Sequence, residues 1–496
     1  MRGGAHENSR RRPWLLLLVA ALLAVAVGAS EVLPSAAAPT ADTSAKKGPK
    51  KKAEKCKKKG KKGKATKKGK GRKKAACGRR APSPVDPAPA TTRPAAPTTS
   101  PATSGLAEVI LVGNNWEGTA DVIEVRPPAP GGSGHASYHP ITRVNIVPDL
   151  EQRLTEILLN PVDLAYFLAI RLLVGEGNDQ YVDDMYTTND GRLLIVSRPS
   201  LKDVVAIELE SGEIAWRFEV AGQRADHMGI SPDGKHVAVS ASTANVVHVL
   251  DTETGKQVGA FPSGDSPHEN TYSEDGERIY HASIGLVYTP LDQPLLDTTK
   301  GDRWYQVVDA ETNEIIKRID VGQKLAQAGH PDMSSAVRPM AITSDEETVY
   351  MQVSFFHGFV EYDNVNDRVL RLAHLPDLTG GLPRELYLLD SAHHGIAIDG
   401  HDRTLCVAGT MSDYAAMVDR ADFSDRTLIT GEGTKPYWST TSRDGRYCYV
   451  SWSGTDSISV IDYETRSVVA NIPVGDHPQR VRTGDVPQSF IDAHRD

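Results

Sequence analysis

Most of the usual marks of chemistry are missing from this chain of 496 residues. It has no HExxH or CxxC spacing for a metal, no nucleophile elbow, and no glycine loop built to cradle phosphate. Cysteine is scarce, at four residues. One long apolar run exists, residues 14–27, and it falls short of the roughly 18 to 20 residues a membrane-spanning helix needs. Unpaired positive charge is confined to one block: residues 46–80 hold 20 Lys/Arg against a single Glu, so a net charge of −8 conceals a body of −28 from residue 81 onward. Such a body repels acidic polymers, which makes nucleic acid an unlikely partner.

What is present is a repeated strand-and-turn grammar, clearest in residues 226–261, DHMGISPDGKHVAVSASTANVVHVLDTETGKQVGAF. Alternating apolar residues mark four short strands, and Ser231-Pro232-Asp233-Gly234, Thr243-Ala244-Asn245 and Thr252-Glu253-Thr254-Gly255 mark the turns between them. The order recurs from Tyr186, Thr271 and Thr440, with weaker copies near Arg338 and His393. Four strands in about forty residues are the size of a propeller blade, and a lone sheet cannot bury both faces, so copies must stack into a ring.

Two stretches, LVGNNWEGTADVIEV (residues 111–125) and YVSWSGTDSISVIDYETRSVVANIPVG (residues 449–475), resemble the YVTN-type β-propeller family. The resemblance covers about residues 107–485 and implies architecture rather than activity, since the family serves unrelated roles.

The expected fold is all-β: a seven-bladed β-propeller of four-stranded blades over residues 106–486, with a short helical insertion at 149–175 and a tail at 487–496. Six copies are complete. The first blade lacks its inner strand, and the segment His477-Pro478-Gln479-Arg480-Val481-Arg482 restarts a blade at the other end, so pairing the two closes the ring. Leu150, Leu154, Ile157, Leu158 and then Leu164, Phe167, Leu168, Leu172 have helical spacing around Asn160-Pro161. These predict two helices that cap one face.

Residues 1–30 have the layout of an export signal, with Arg10 to Arg12 before the apolar run and small residues near Ala29; residues 13–29 could instead remain as an anchor. The chain is therefore read as extracellular or envelope-associated. Residues 31–105 form a disordered arm, lysine-rich and then Pro/Thr/Ala-rich. Its lysine block begins at Lys46 and ends at Lys74, and is either a spacer or an adhesive for an anionic cell-wall or membrane surface. Cys56 and Cys77 could close that block into a loop. Cys406 and Cys448 read as offset by one register position, hence as buried free thiols on opposite faces.

Long insertions collect on one face of the ring, and that face is the expected site. His227, His268, His393, His394 and His477 each stand just before an inner-strand turn, at the mouth of the central channel. Neutral imidazoles converging there suit a transition metal such as copper, although channel histidines can equally bond backbone. Arg338, Arg480, Tyr437 and Trp438, with Asp226 and Glu269, could hold a small anionic or aromatic molecule, or else serve packing and interblade bonding. The functional readings are a monomeric propeller binding a small molecule or protein at this face and, alternatively, a metal-dependent oxidoreductase.

Overall fold

A computed structural model of the protein describes residues 105–128, 134–287, 299–387 and 391–495. The export signal, lysine block, Pro/Thr/Ala linker and Cys56–Cys77 loop expected for residues 1–104 lie outside them. Among the described residues no helix is long and apolar enough to cross a membrane.

Seven antiparallel four-stranded sheets form the blades. Blade two starts at Met185–Thr187, blade three at Ala225–Ile230 and blade four at Pro267–Tyr272. Blades five, six and seven start at Val337–Ile342, Ile396–Ile398 and Pro436–Thr441. Blade one is shared between the chain ends: Pro478–Pro487 supplies its inner strand and pairs with Leu106–Asn114, Val112 opposite Val481 and Ala107 opposite Val486. The ring therefore has no open sheet edge at its seam.

The repeated turn is chemically specific. Ser231 Oγ donates to Asp233 Oδ1 (2.7 Å), the same oxygen accepts from Lys235 N (3.1 Å), and Gly234 at φ +66° donates to Ser231 O (2.8 Å). Thr188 with Asp190, Ser273 with Asp275, Thr343 with Asp345 and Ser442 with Asp444 repeat the side-chain bond. In blades five and six the left-handed position falls on Glu346 (φ +59°) and Asp402 (φ +53°) instead of glycine. That is why those two copies read weakly.

Burial follows from alternation. Leu193 and Ile195 face blade three while Leu194 and Val196 face blade one, so one strand feeds two interblade layers. Seven such apolar layers run around the ring. Burying one Val, Leu or Ile there contributes about 1.5–3 kcal/mol relative to exposure, so a blade without its neighbours loses most of its stabilisation.

The expectation for Cys406 and Cys448 is overturned: they form a disulfide, with Cα atoms 6.5 Å apart. They do lie on opposite faces of their own blades. Stacked blades, however, touch through unlike faces, so the one-residue offset brings both sulfurs into the same layer beside Met417 and Trp452.

The insertion forms two helices, α1 (Leu150–Leu159) and α2 (Pro161–Leu173). Asn160 Oδ1 caps α2 by accepting from Val162 N (3.0 Å) and Asp163 N (3.4 Å), with Pro161 at the first helical position. Ile157 and Phe167 pack on Leu201 of blade two. The buried Arg198 guanidinium ties the helices down, bonding Asp203 (2.8 Å to each oxygen) and Asp149 (2.6 and 3.0 Å). The tail is also structured: Gln488–Ala493 is a helix, with Phe490 and Ile491 buried between blades one and two.

Candidate functional site

All seven inner strands carry one extra residue at the same level. In blade three Ala225 pairs with Ala241 and Met228 with Val239, leaving Asp226 and His227 opposite a single partner residue. Blades one, four, five and seven show the same slip at Gln479-Arg480, His268, Arg338-Pro339 and Tyr437-Trp438. In blade two Asp183 N donates to Ser197 O while Ser197 N donates to Asp184 O, and blade six repeats this with His394, Gly395 and Ala408. A β-bulge re-aims side chains that simple alternation would send to opposite faces. Consecutive residues of one strand therefore both reach the axis.

The result is two layers of polar side chains across the channel. Asp183, Asp226, His268, Arg338, Tyr437 and Gln479 surround a cavity of about 60 Å³, together with His227 and Arg224. Val174 and Gln180 from the insertion and Ile284 and Val287 from the blade-four loop roof it. Below, Arg480 lies 3.8 Å over the Trp438 ring, and Arg482 grips Asp184 with two bonds of 2.8 and 2.7 Å. A second chamber of about 300 Å³, lined by Glu269, Tyr186, Tyr272, Thr440 and Arg482, opens beyond this plug.

Three of the five expected histidines meet. His227, His268 and His394 present ring nitrogens that all lie within 4.8 Å of one another. The rings of His227 and His268 are 3.7 Å apart, and each is 5.9 Å from that of His394. His227 Nδ1 is hydrogen-bonded to Glu269 Oε2 at 2.7 Å, which leaves its Nε2 facing Asp226 Oδ1 (3.8 Å) and Asp183 Oδ2 (3.9 Å). His394 stacks on Tyr437 at 4.1 Å.

His393 and His477 do not join them. His393 stands one residue before the bulge and turns outward, its Nε2 2.9 Å from Tyr414 Oη. His477, at φ +58° before Pro478, stacks on Trp116. Arg338, Arg480, Tyr437, Trp438, Asp226 and Glu269 do reach the axis. Arg224 and Gln479 reach it too, without having been singled out. Gln479 could have been found by aligning the blades on their turns; Arg224 lies outside the inner strand, and no local pattern marks it.

Burial dominates the electrostatics. It drives the imidazoles of His227, His268 and His394 well below their ordinary range, with nearby guanidinium groups adding to the effect, so all three are neutral at neutral pH. Burial pushes the Glu269 carboxyl up to about 8 against the pull of Arg480 and Arg482. The Asp226 carboxyl rises to about 7 for the same reason, with Arg224 opposing the rise and neighbouring Asp183 reinforcing it.

Fold and site together define a seven-bladed β-propeller with a polar plug on its axis. No family model matches the chain, and no curated protein does. Among solved structures it is similar to a chain of Kuenenia stuttgartiensis hydrazine synthase, with a TM-score of 0.44 and 14% identity, over 60% of this chain and 88% of that one. A likeness at that level carries no argument about the site.

Proposed function

We propose that the protein is an exported, envelope-tethered binding module of the YVTN type, which holds a small anion in the cavity on the loop-decorated side of its axis. The observation that carries this reading is Arg480. It is wholly buried, yet none of its three guanidinium nitrogens has a hydrogen-bond partner, and its nearest carboxylate oxygens, on Asp183 and Asp184, stand 3.6 and 3.8 Å away. A buried guanidinium without hydrogen bonds within the protein calls for a partner, and a small anion in the adjoining cavity would supply one. Arg224 and Arg338 line the adjoining cavity, and the Nε of Arg224 is likewise unpartnered.

Size narrows the ligand. About 60 Å³ is room for a few waters, at roughly 10–15 Å³ for each, and far below the roughly 300–1,000 Å³ of sites for larger organic ligands. Bicarbonate, nitrate, nitrite and acetate are of the right order. On this reading the lysine block of residues 46–74 holds the propeller to an anionic surface, and retention on anionic vesicles falls as ionic strength rises.

The test is calorimetric titration of the full chain with these four anions. Saturable binding of at least one is expected, weakened at least tenfold by Arg224→Gln and abolished by Arg480→Gln in variants whose circular dichroism matches the parent. Binding by none of them, or equal binding by both variants, overturns the reading. A metal-dependent oxidoreductase, the alternative function, first requires a metal ion at the histidines.

A further inference from the structure

We infer that His227, His268 and His394 form a binding site for one divalent first-row transition metal ion of the zinc and copper class, with Asp183 and Asp226 beside its remaining coordination position. The three residues come from three blades, and ring closure alone brings them together. Their ring nitrogens are already within 4.8 Å of one another. Ligation at about 2.0–2.1 Å from a shared tetrahedral centre asks for roughly 3.3 Å between them, so binding draws the nitrogens together by at most about 1.5 Å.

Each ring also has the right attachments for the task. His227 is held at Nδ1 by Glu269 (2.7 Å), which leaves its Nε2 beside Asp183 and Asp226; a carboxyl group behind a ligating imidazole is a common support for a metal. His268 and His394 each keep a buried Nδ1 with no hydrogen-bond partner, so neither ring is spent on bonding the scaffold. His393, one residue away, also keeps an unpartnered Nδ1 but differs at the other nitrogen: its Nε2 is engaged by Tyr414 and it stands outside the cluster. A set of neutral imidazoles excludes calcium and magnesium, which require oxygen ligands, and suits zinc, copper and iron.

A second triad, Asp183, Asp226 and His227, shares His227 with the first and has ligand atoms equally close. It offers an oxygen donor where three imidazoles alone leave the shell open. Arg224, Arg338 and Arg480 are the cations facing the cluster and work against a dication. Asp183 and Asp226 are the carboxyl groups nearest the cluster, and Glu269 lies behind His227. The inference stands on the histidines and not on the guanidinium groups, so it and the anion reading can fail separately.

The experiment uses the full chain, stripped with chelator and titrated with Co(II), Zn(II) and Cu(II) in a buffer free of the four anions. One equivalent of cobalt with intense visible bands is expected. His268→Ala and His394→Ala should each lower cobalt affinity at least tenfold while leaving the melting temperature of metal-free protein unchanged, and His393→Ala should keep affinity within about twofold. Should either alanine variant fail to fold, Glu269→Gln should still shift the visible bands of the cobalt form. The inference is overturned if parent protein takes up no stoichiometric metal, if the His268 and His394 variants bind as parent does, or if the His393 variant loses as much as they do. Metal uptake without anion binding, or the reverse, tells the two readings apart.

Discussion

Trp116 and His477 stack with ring centroids 3.7 Å apart and planes within 4° of parallel. One stands in the first turn of blade one and the other just before the last strand, so the stack fastens the two ends of the propeller. Asn115 N donates to His477 O (3.1 Å) and Gly475 N to Asp121 Oδ2 (2.8 Å) across the same seam. Deleting residues 478–484 removes the strand these contacts position. Calorimetry should then show a broad, low-temperature transition in place of one cooperative step; a sharp melt at the parental temperature would mean that the ring does not depend on its seam.

The Cys406–Cys448 bridge closes a loop of 42 residues between neighbouring blades. Chain-entropy reasoning assigns such a loop about 2–4 kcal/mol. Cys448→Ser should lower the urea midpoint accordingly, and reductant should lower the parent's midpoint but not the variant's. An equal response of both proteins to reductant would place the effect elsewhere.

Arg198 and Asp203 are both fully buried and bonded to each other. Removing Arg198 takes both hydrogen bonds from Asp203 and leaves it only the longer contact with Arg153 (3.5 Å), so Arg198→Met should destabilise by about 3–5 kcal/mol. The double variant Arg198→Met, Asp203→Leu should recover much of that loss. Because Asp149 shares the guanidinium, protease cleavage at α1 and α2 should accelerate in the single variant. Stability within about 0.5 kcal/mol of parent would refute the stranded-charge account.

Burial pushes the His281 imidazole down to about 3; it lies between Ser263 Oγ (2.7 Å) and the backbone oxygen of Glu269 (2.9 Å). Between that value and the ordinary 6.5 the unfolded chain binds a proton that the folded chain refuses. Its contribution is therefore complete above pH 6.5 and is lost as pH falls, at about 1.4 kcal/mol per pH unit for one proton. His393, driven to about 3 for the same reason, adds with the same sign. Urea melts from pH 6.5 down to 4.5 should show the decline, flatter by one proton in His281→Gln. A parallel slope in that variant would exclude His281 as its source.

The ring was legible because each blade repeats one turn, and Ser231, Asp233 and Gly234 are chosen by local bonds that leave a local signature. The missing strand of blade one could be found in His477 to Arg482 by the same bookkeeping of strands. The site was legible only in outline. Position before a turn places a residue near the mouth, but whether it reaches the axis is decided by the bulge, which no pattern in His393-His394 reveals; one ring points to Tyr414 and the other to the axis. Cys406 and Cys448 were misjudged for a related reason, since strand alternation describes a single sheet while pairing depends on how the next sheet stacks.

The bulges carry a consequence for how such a protein changes over time. A residue excused from regular ladder pairing and, Tyr437 and Trp438 apart, from the apolar layers can be exchanged with little disturbance to either. With such a step in each of seven blades, the axis behaves as an interchangeable panel set into a fixed frame. Asp, His, Glu, Arg, Tyr, Trp and Gln already occupy equivalent steps, whereas the inward positions of the neighbouring strands are filled by apolar and aromatic side chains that pack between blades. Diversity should therefore concentrate at these steps, and a library randomised there alone should yield folded proteins with altered ligand preference.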